Sequence, residues 1–119
     1  MHVIKGIGID MVEMSRIKQS IKRNPRFVQR ILTRAEHDRF VDLNEQRQIE
    51  YLSGRFAAKE AAGKAMGTGI GKLSFQDIEV LHTNDGAPDM KVKGYEYLKA
   101  WVSISHSSDY AIAQVVLEE

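Results

Sequence analysis

A chain of 119 residues that is 43% hydrophobic and 28% charged has the size and composition of one soluble globular domain, expected to span 1–119. It contains no cysteine, which excludes disulfides, thiolate metal sites and a cysteine nucleophile. No apolar run is long enough for a membrane span, and no charged segment leads into a long apolar one near Met1, so a cytoplasmic protein is the expectation. The net charge of +1 hides an asymmetry. Arg16, Lys18, Lys22, Arg23, Arg26, Arg30 and Arg34 are seven basic residues with no acid among them, and removing them leaves the rest of the chain at −6. Such a patch suits an anionic partner, and nucleic acid, a membrane surface and an acidic protein all fit, as does a solvated face with no partner.

Val3 to Val12 is apolar and β-branched, interrupted by Gly6 and Gly8, which predicts a buried strand or one that another segment approaches closely. From Glu13 to about Lys22, Met14, Ile17 and Ile21 recur at helical spacing, and Asn24-Pro25 ends that helix. Phe27, Ile31 and Leu32 continue the periodicity. Thr33 with Glu36 three residues on predicts a capping box that opens a helix towards Arg47. The main helix is predicted from about Ile49 to Met66, where Gly67, Gly69 and Gly71 stop it. Phe75 to Leu81 alternates as a strand, Asn84-Asp85-Gly86 is a hairpin turn, and Met90 to Lys93 is a short returning strand. Tyr95 to Ala100 is predicted as a helical turn. After Trp101, Val102, Ile104 and His106 alternate with Ser103, Ser105 and Ser107, and Tyr110 to Leu117 forms the last strand. Helices first and hairpin-linked strands afterwards predict an α+β fold with a mainly antiparallel sheet.

On the main helix Phe56, Glu60 and Lys64 fall on one stripe, placing a carboxylate and an ammonium a turn apart beside Ala57, Ala61 and Gly63. Small residues there leave room for a ligand; the plain alternative is an exposed i, i+4 ion pair. Asp10 and Glu60 are the acids with the most apolar sequence neighbours. Two carboxylates meeting there would suit Mg²⁺ together with phosphate oxygens, while separate pairing with an arginine or a backbone amide would leave no metal site. Gly67-Thr68-Gly69-Ile70-Gly71-Lys72 is not a phosphate loop, because Met66 stands where the first glycine is needed, Leu73 follows the lysine, and the run follows a helix instead of opening one. It still offers backbone groups against which a flat ring could lie. Ser105-His106-Ser107 shows no oxyanion loop nearby, and His106 on a face with Val102 and Ile104 reads first as a hydrogen-bonded core histidine.

Four blocks taken in order resemble the holo-(acyl-carrier-protein) synthases, the small bacterial 4′-phosphopantetheinyl transferases. They are Gly6-Ile7-Gly8-Ile9-Asp10-Met11-Val12-Glu13, Arg30-Ile31-Leu32-Thr33-Arg34-Ala35-Glu36, Gly54 through Gly71 with Arg55-Phe56-Ala57-Ala58-Lys59-Glu60, and Val102 through Val116. The resemblance implies an α+β fold with a long helix against a mainly antiparallel sheet, and a homotrimer with sites at subunit interfaces. It implies transfer of phosphopantetheine from coenzyme A to a serine of acyl carrier protein for fatty acid synthesis. Asp10 and Glu60 would hold Mg²⁺ with the pyrophosphate, and Lys64 would contact the phosphates. His106 would bond a coenzyme A phosphate, with Arg55 and Ser107 also at the coenzyme, and Gly67, Thr68 and Gly69 would flank the adenine. Glu60, Lys64 and His106 are thus the expected catalytic set, with the general base open between Glu60 and a water. Arg16, Arg23, Arg26 and Phe27 would dock the acidic carrier helix, leaving neither nucleic acid nor membrane as a partner. Ala87 stands where relatives often carry a basic residue, and Gly63 where many carry a larger one.

Overall fold

The structure, a computed structural model, describes residues 2–71 and 73–119; Met1 and Lys72, the last residue of the glycine-rich run, lie outside the described residues. Strand β1 (Ile4–Glu13) leads into helices α1 (Met14–Arg23), α2 (Arg26–Ile31), α3 (Arg34–Phe40) and the long α4 (Glu45–Ala65). A 3₁₀ turn (Phe75–Asp77) opens strand β2 (Ile78–His82), followed by β3 (Pro88–Val92), β4 (Lys99–His106) and β5 (Tyr110–Glu118). The strands form two antiparallel sheets, one in the order β1-β5-β4 and a hairpin of β2 with β3. This is the expected α+β architecture.

Local chemistry explains where the elements begin and end. The Thr33–Glu36 capping box forms, but α3 stops at Phe40, and α4 starts afresh at Glu45 because the Asn44 side chain accepts from the Arg47 amide. The main helix therefore begins four residues before Ile49. Phe75–Asp77 is not strand, because Asp77 accepts from the Ser74 amide and closes a 3₁₀ turn. Between Val92 and β4 two successive turns replace the expected helical one.

Alternate residues of the three-stranded sheet face α4. Ala57, Ala58, Ala61 and Ala62 are fully buried in one cluster with Ala113, Val115 and Leu117 of β5. The small residues of α4 thus pack the sheet against the helix and do not clear a ligand approach. Gly8 shows how close the packing is: a Cβ there would lie 2.0 Å from the Ala61 carbonyl oxygen. The opposite face of the sheet carries Ile7, Ile9 and Met11 of β1, Ile112 of β5 and Trp101 of β4, all exposed.

A charged knot joins the second half of the chain to the first. Lys59 is fully buried, and its Nζ donates to Glu36 Oε1 at 2.6 Å, the Ile31 carbonyl at 2.7 Å and the Phe75 carbonyl at 3.1 Å. Glu36, equally buried, also accepts from the Thr33 amide and, on its other oxygen, from the Val80 amide. Burial lowers the Lys59 pKa, and Glu36 beside it opposes the fall. The sequence reading gave Glu36 a capping role only; its carboxylate in fact spans α3, β2 and α4.

Candidate active site

Asp10, Glu60 and Lys64 meet where β1 crosses α4. Lys64 Nζ donates to the Ile9 carbonyl at 2.9 Å and to Asp10 Oδ1 at 3.1 Å. Its partner is therefore Asp10, 54 residues away, and not the helical neighbour Glu60. Glu60 is half-buried, and its pKa is raised by burial first and by the Asp10 charge second, with Lys64 pulling the other way. Two carboxylates close enough to repel, with an exposed ammonium beside them, are a ready place for a cation and phosphate oxygens. The close approach at Gly8 brings β1 alongside this part of α4.

The glycine loop closes the C-terminal end of α4. Gly67 and Gly69 have φ of +75° and +69°, values that disfavour other residues. The Thr68 and Gly69 amides both donate to the Gly63 carbonyl and the Gly67 amide donates to the Lys64 carbonyl, so these amides terminate α4. Gly63 leaves no clearing: a Cβ there would lie 2.9 Å from the Gly69 carbonyl carbon, so the missing side chain lets the loop fold back onto the helix.

Arg55 and His106 lie at a second place. Both line a cavity of about 540 Å³ with Arg39, Arg47, Tyr51 and His82, where Glu50 is the one carboxylate among the lining residues. Arg55 is buried; it stacks 4.2 Å from the Tyr51 ring centroid and donates to the Val80 carbonyl, while its Nε finds no acceptor among the described residues. His106 shares the inner sheet face with Val102 and Ile104, yet it is exposed, with Nε2 3.9 Å from Glu50 Oε1. It is not the core histidine that alternation alone suggested. Ser107 uses its hydroxyl to accept from the Asp109 and Tyr110 amides and so builds the β4–β5 turn.

Asp10 sits on β1 and His106 on β4, at opposite edges of the sheet with β5 between them. Glu50, which His106 faces, precedes Glu60 by ten residues, about 15 Å along the helix. One chain therefore presents two separate clusters of charged residues. A further cavity of about 610 Å³, lined by Arg30, Leu32, Ile70 and Phe75 among others, includes no residue of either.

Arg16, Arg23 and Arg26 are exposed on α1 and α2. Phe27 is half-buried with its ring centroid 6.2 Å from that of Phe56, which ties this basic segment to the stripe carrying Glu60. The sequence reading missed Tyr51, Arg39, Arg47, His82 and the Lys59–Glu36 knot. Tyr51 could have been found, since it lies one helical turn before Arg55; His82 gave no local signal.

Comparison with known proteins places the chain in a family. The family model of the 4′-phosphopantetheinyl transferase superfamily matches residues 6–115. The chain belongs to this superfamily. Among its members, a holo-[acyl-carrier-protein] synthase of Oceanobacillus iheyensis is 55% identical over 116 residues, covering 98% of each chain. The synthase of Streptococcus uberis is 52% identical over 117 residues with the same coverage. A holo-(acyl-carrier-protein) synthase of Bacillus anthracis, crystallised in complex with CoA (3′,5′-ADP), superposes with a TM-score of 0.90 at 46% identity, covering 98% of this chain and 97% of its own. A Helicobacter pylori synthase in complex with coenzyme A gives 0.83 at 36% identity, with 93% and 98% covered. Members of this superfamily are enzymes, and no helix among the described residues is long and apolar enough to cross a membrane.

Proposed function

We propose that this chain is a holo-(acyl-carrier-protein) synthase, which moves the 4′-phosphopantetheine arm of coenzyme A onto a serine of apo acyl carrier protein and releases adenosine 3′,5′-bisphosphate. The observation that carries this reading is the cluster of Asp10, Glu60 and Lys64 at the β1–α4 crossing. The serine oxygen forms a bond to the phosphorus that bears pantetheine, the bond from that same phosphorus to the bridging oxygen breaks, and the departing bisphosphate keeps the bridging oxygen. Chemistry of this kind asks chiefly for positioning and charge stabilisation.

Asp10 and Glu60 fit Mg²⁺: they are hard oxygen donors, two in number, with the remaining positions left to substrate oxygens and water. When bound, the ion supplies charge stabilisation at the pyrophosphate. Lys64 is exposed, so its ammonium can exchange Asp10 for a phosphate oxygen, and at the last turn of α4 it offsets the negative helix end. The serine proton passes to Glu60 or to a water held beside it.

A coenzyme A whose pyrophosphate rests on Asp10, Glu60 and Lys64 has one anionic group left, the ribose 3′-phosphate. Arg55 and His106 form a basic cradle suited to it, but apart from that cluster in the same chain. We therefore read the enzyme as a homotrimer in which the cradle of one chain completes the cluster of the next. The outward row of Ile7, Ile9, Met11, Ile112 and Trp101 supports association through the sheet. Arg16, Arg23, Arg26 and Phe27 present the carrier-docking face, and a cytoplasmic place in fatty acid synthesis goes with this reading. The test is to incubate the protein with coenzyme A, Mg²⁺ and apo carrier and weigh the carrier. A gain of one phosphopantetheine is expected; an unchanged mass with folded protein overturns the proposal.

A further inference from the structure

We infer that His82 is a further binding residue of the basic cradle, contacting the ribose 3′-phosphate of coenzyme A and taking up a proton as that phosphate binds. The inference rests on the proposed reading of the cradle and adds to it a residue that none of the sequence motifs contains.

His82 is the last residue of β2, and of the residues lining the cavity on the β2–β3 hairpin (His82, Gly86 and Pro88) it alone is ionisable. Its Nδ1 lies 3.3 Å from Nη2 of Arg55. A guanidinium only donates, so this contact requires Nδ1 to carry no proton and fixes the ring proton of the neutral form on Nε2. The ring is thus held with one nitrogen against Arg55 and a donor left over.

The charges around it explain why it is neutral before a ligand arrives. Arg39 comes from α3, Arg47, Glu50, Tyr51 and Arg55 from α4, and His106 from β4. Asp85, on the same hairpin, accepts from the Thr83 hydroxyl. Burial, then Arg55, then Arg39 lower the His82 pKa. A phosphate dianion among these groups reverses the balance. Arg55 Nη2 then has an oxygen to donate to, Nδ1 is released and accepts a proton from solvent, and the imidazolium adds a charge-assisted contact. No covalent bond changes; one proton is gained by the complex. The hairpin supplies this charge through His82, since Ala87 at its tip has none to give.

The experiment is calorimetric binding of adenosine 3′,5′-bisphosphate and of adenosine 5′-monophosphate to the wild-type protein, His82→Gln and His82→Lys. Titrations run in two buffers of different ionisation heat, with melting curves to confirm folding. The preference for the bisphosphate should fall roughly five- to twenty-fold in His82→Gln, the loss of about one charged hydrogen bond. Wild-type protein should take up more protons on binding at neutral pH than either variant, and His82→Lys should keep the preference while losing that uptake. A His82→Gln preference within about twofold of wild type, with unchanged proton uptake, overturns the inference and leaves the coenzyme A reading standing. Failure of the wild-type protein to bind the bisphosphate overturns both.

Discussion

Replacing Lys59 by methionine keeps the aliphatic length in α4 and removes the ammonium that three buried acceptors share. Glu36 then remains a fully buried carboxylate held only by the Thr33 and Val80 amides, and the Ile31 and Phe75 carbonyls lose a donor. Removing one member of a buried ion pair costs about 3–5 kcal/mol. A chain of 119 residues has a total stability of roughly 6–18 kcal/mol, so this change removes a large share. Near this length about 1 kcal/mol moves Tm by about 4 °C, giving an expected fall of about 12–20 °C. Urea unfolding at one fixed protein concentration reads the change without interference from self-association. Glu36→Gln strands Lys59 in the same way. The double variant Lys59→Met with Glu36→Gln removes both charges, so its loss should be about 1–3 kcal/mol smaller than the sum of the singles. A Lys59→Met loss below about 1 kcal/mol, or strict additivity in the double variant, refutes the account of this pair.

Glu60→Gln should lower the rate of carrier modification by at least about a hundredfold while leaving the melting curve in place; full activity would remove Glu60 from the chemistry. Equal amounts of Glu60→Gln and Arg55→Met chains, unfolded and refolded together, should regain about one quarter of wild-type activity if each site joins two chains, and none if each chain holds a whole site. Gly8→Ala would set a Cβ 2.0 Å from the Ala61 carbonyl oxygen, a backbone atom with no room to move, so β1 must shift from α4. Stability should drop by about 1–3 kcal/mol and transfer should slow as Asp10 leaves Lys64; a variant unchanged in both measures contradicts the packing described. The folded-state pKa of His82 lies below its ordinary value of 6.5, so between the two the folded chain binds fewer protons than the unfolded one, and stability falls as pH drops through about 6.5. Melting between about pH 7.5 and 5.5 should decline more steeply for the wild type than for His82→Gln, and parallel curves would show that His82 is not held neutral.

The sequence by itself determined what depends on near neighbours. Helical spacing placed Phe56, Glu60 and Lys64 on one stripe, the Thr33–Glu36 interval gave a capping box, Asn84-Asp85-Gly86 gave the hairpin, and alternation put His106 on a face with Ile104. The ordered blocks gave the family. The tertiary structure decided which of these residues meet. Lys64 turns to Asp10 and not to Glu60, Arg55 turns away from Glu60 to His82, and Gly63 admits a loop where the sequence suggested a ligand. Glu36, a cap by its spacing, becomes the partner of a lysine 23 residues on. The physical reason is that dihedral preferences and side-chain periods act over a turn or a strand, whereas contacts between distant residues exist only once α4 has closed on the sheet and buried polar groups must find partners among whatever that packing brings near.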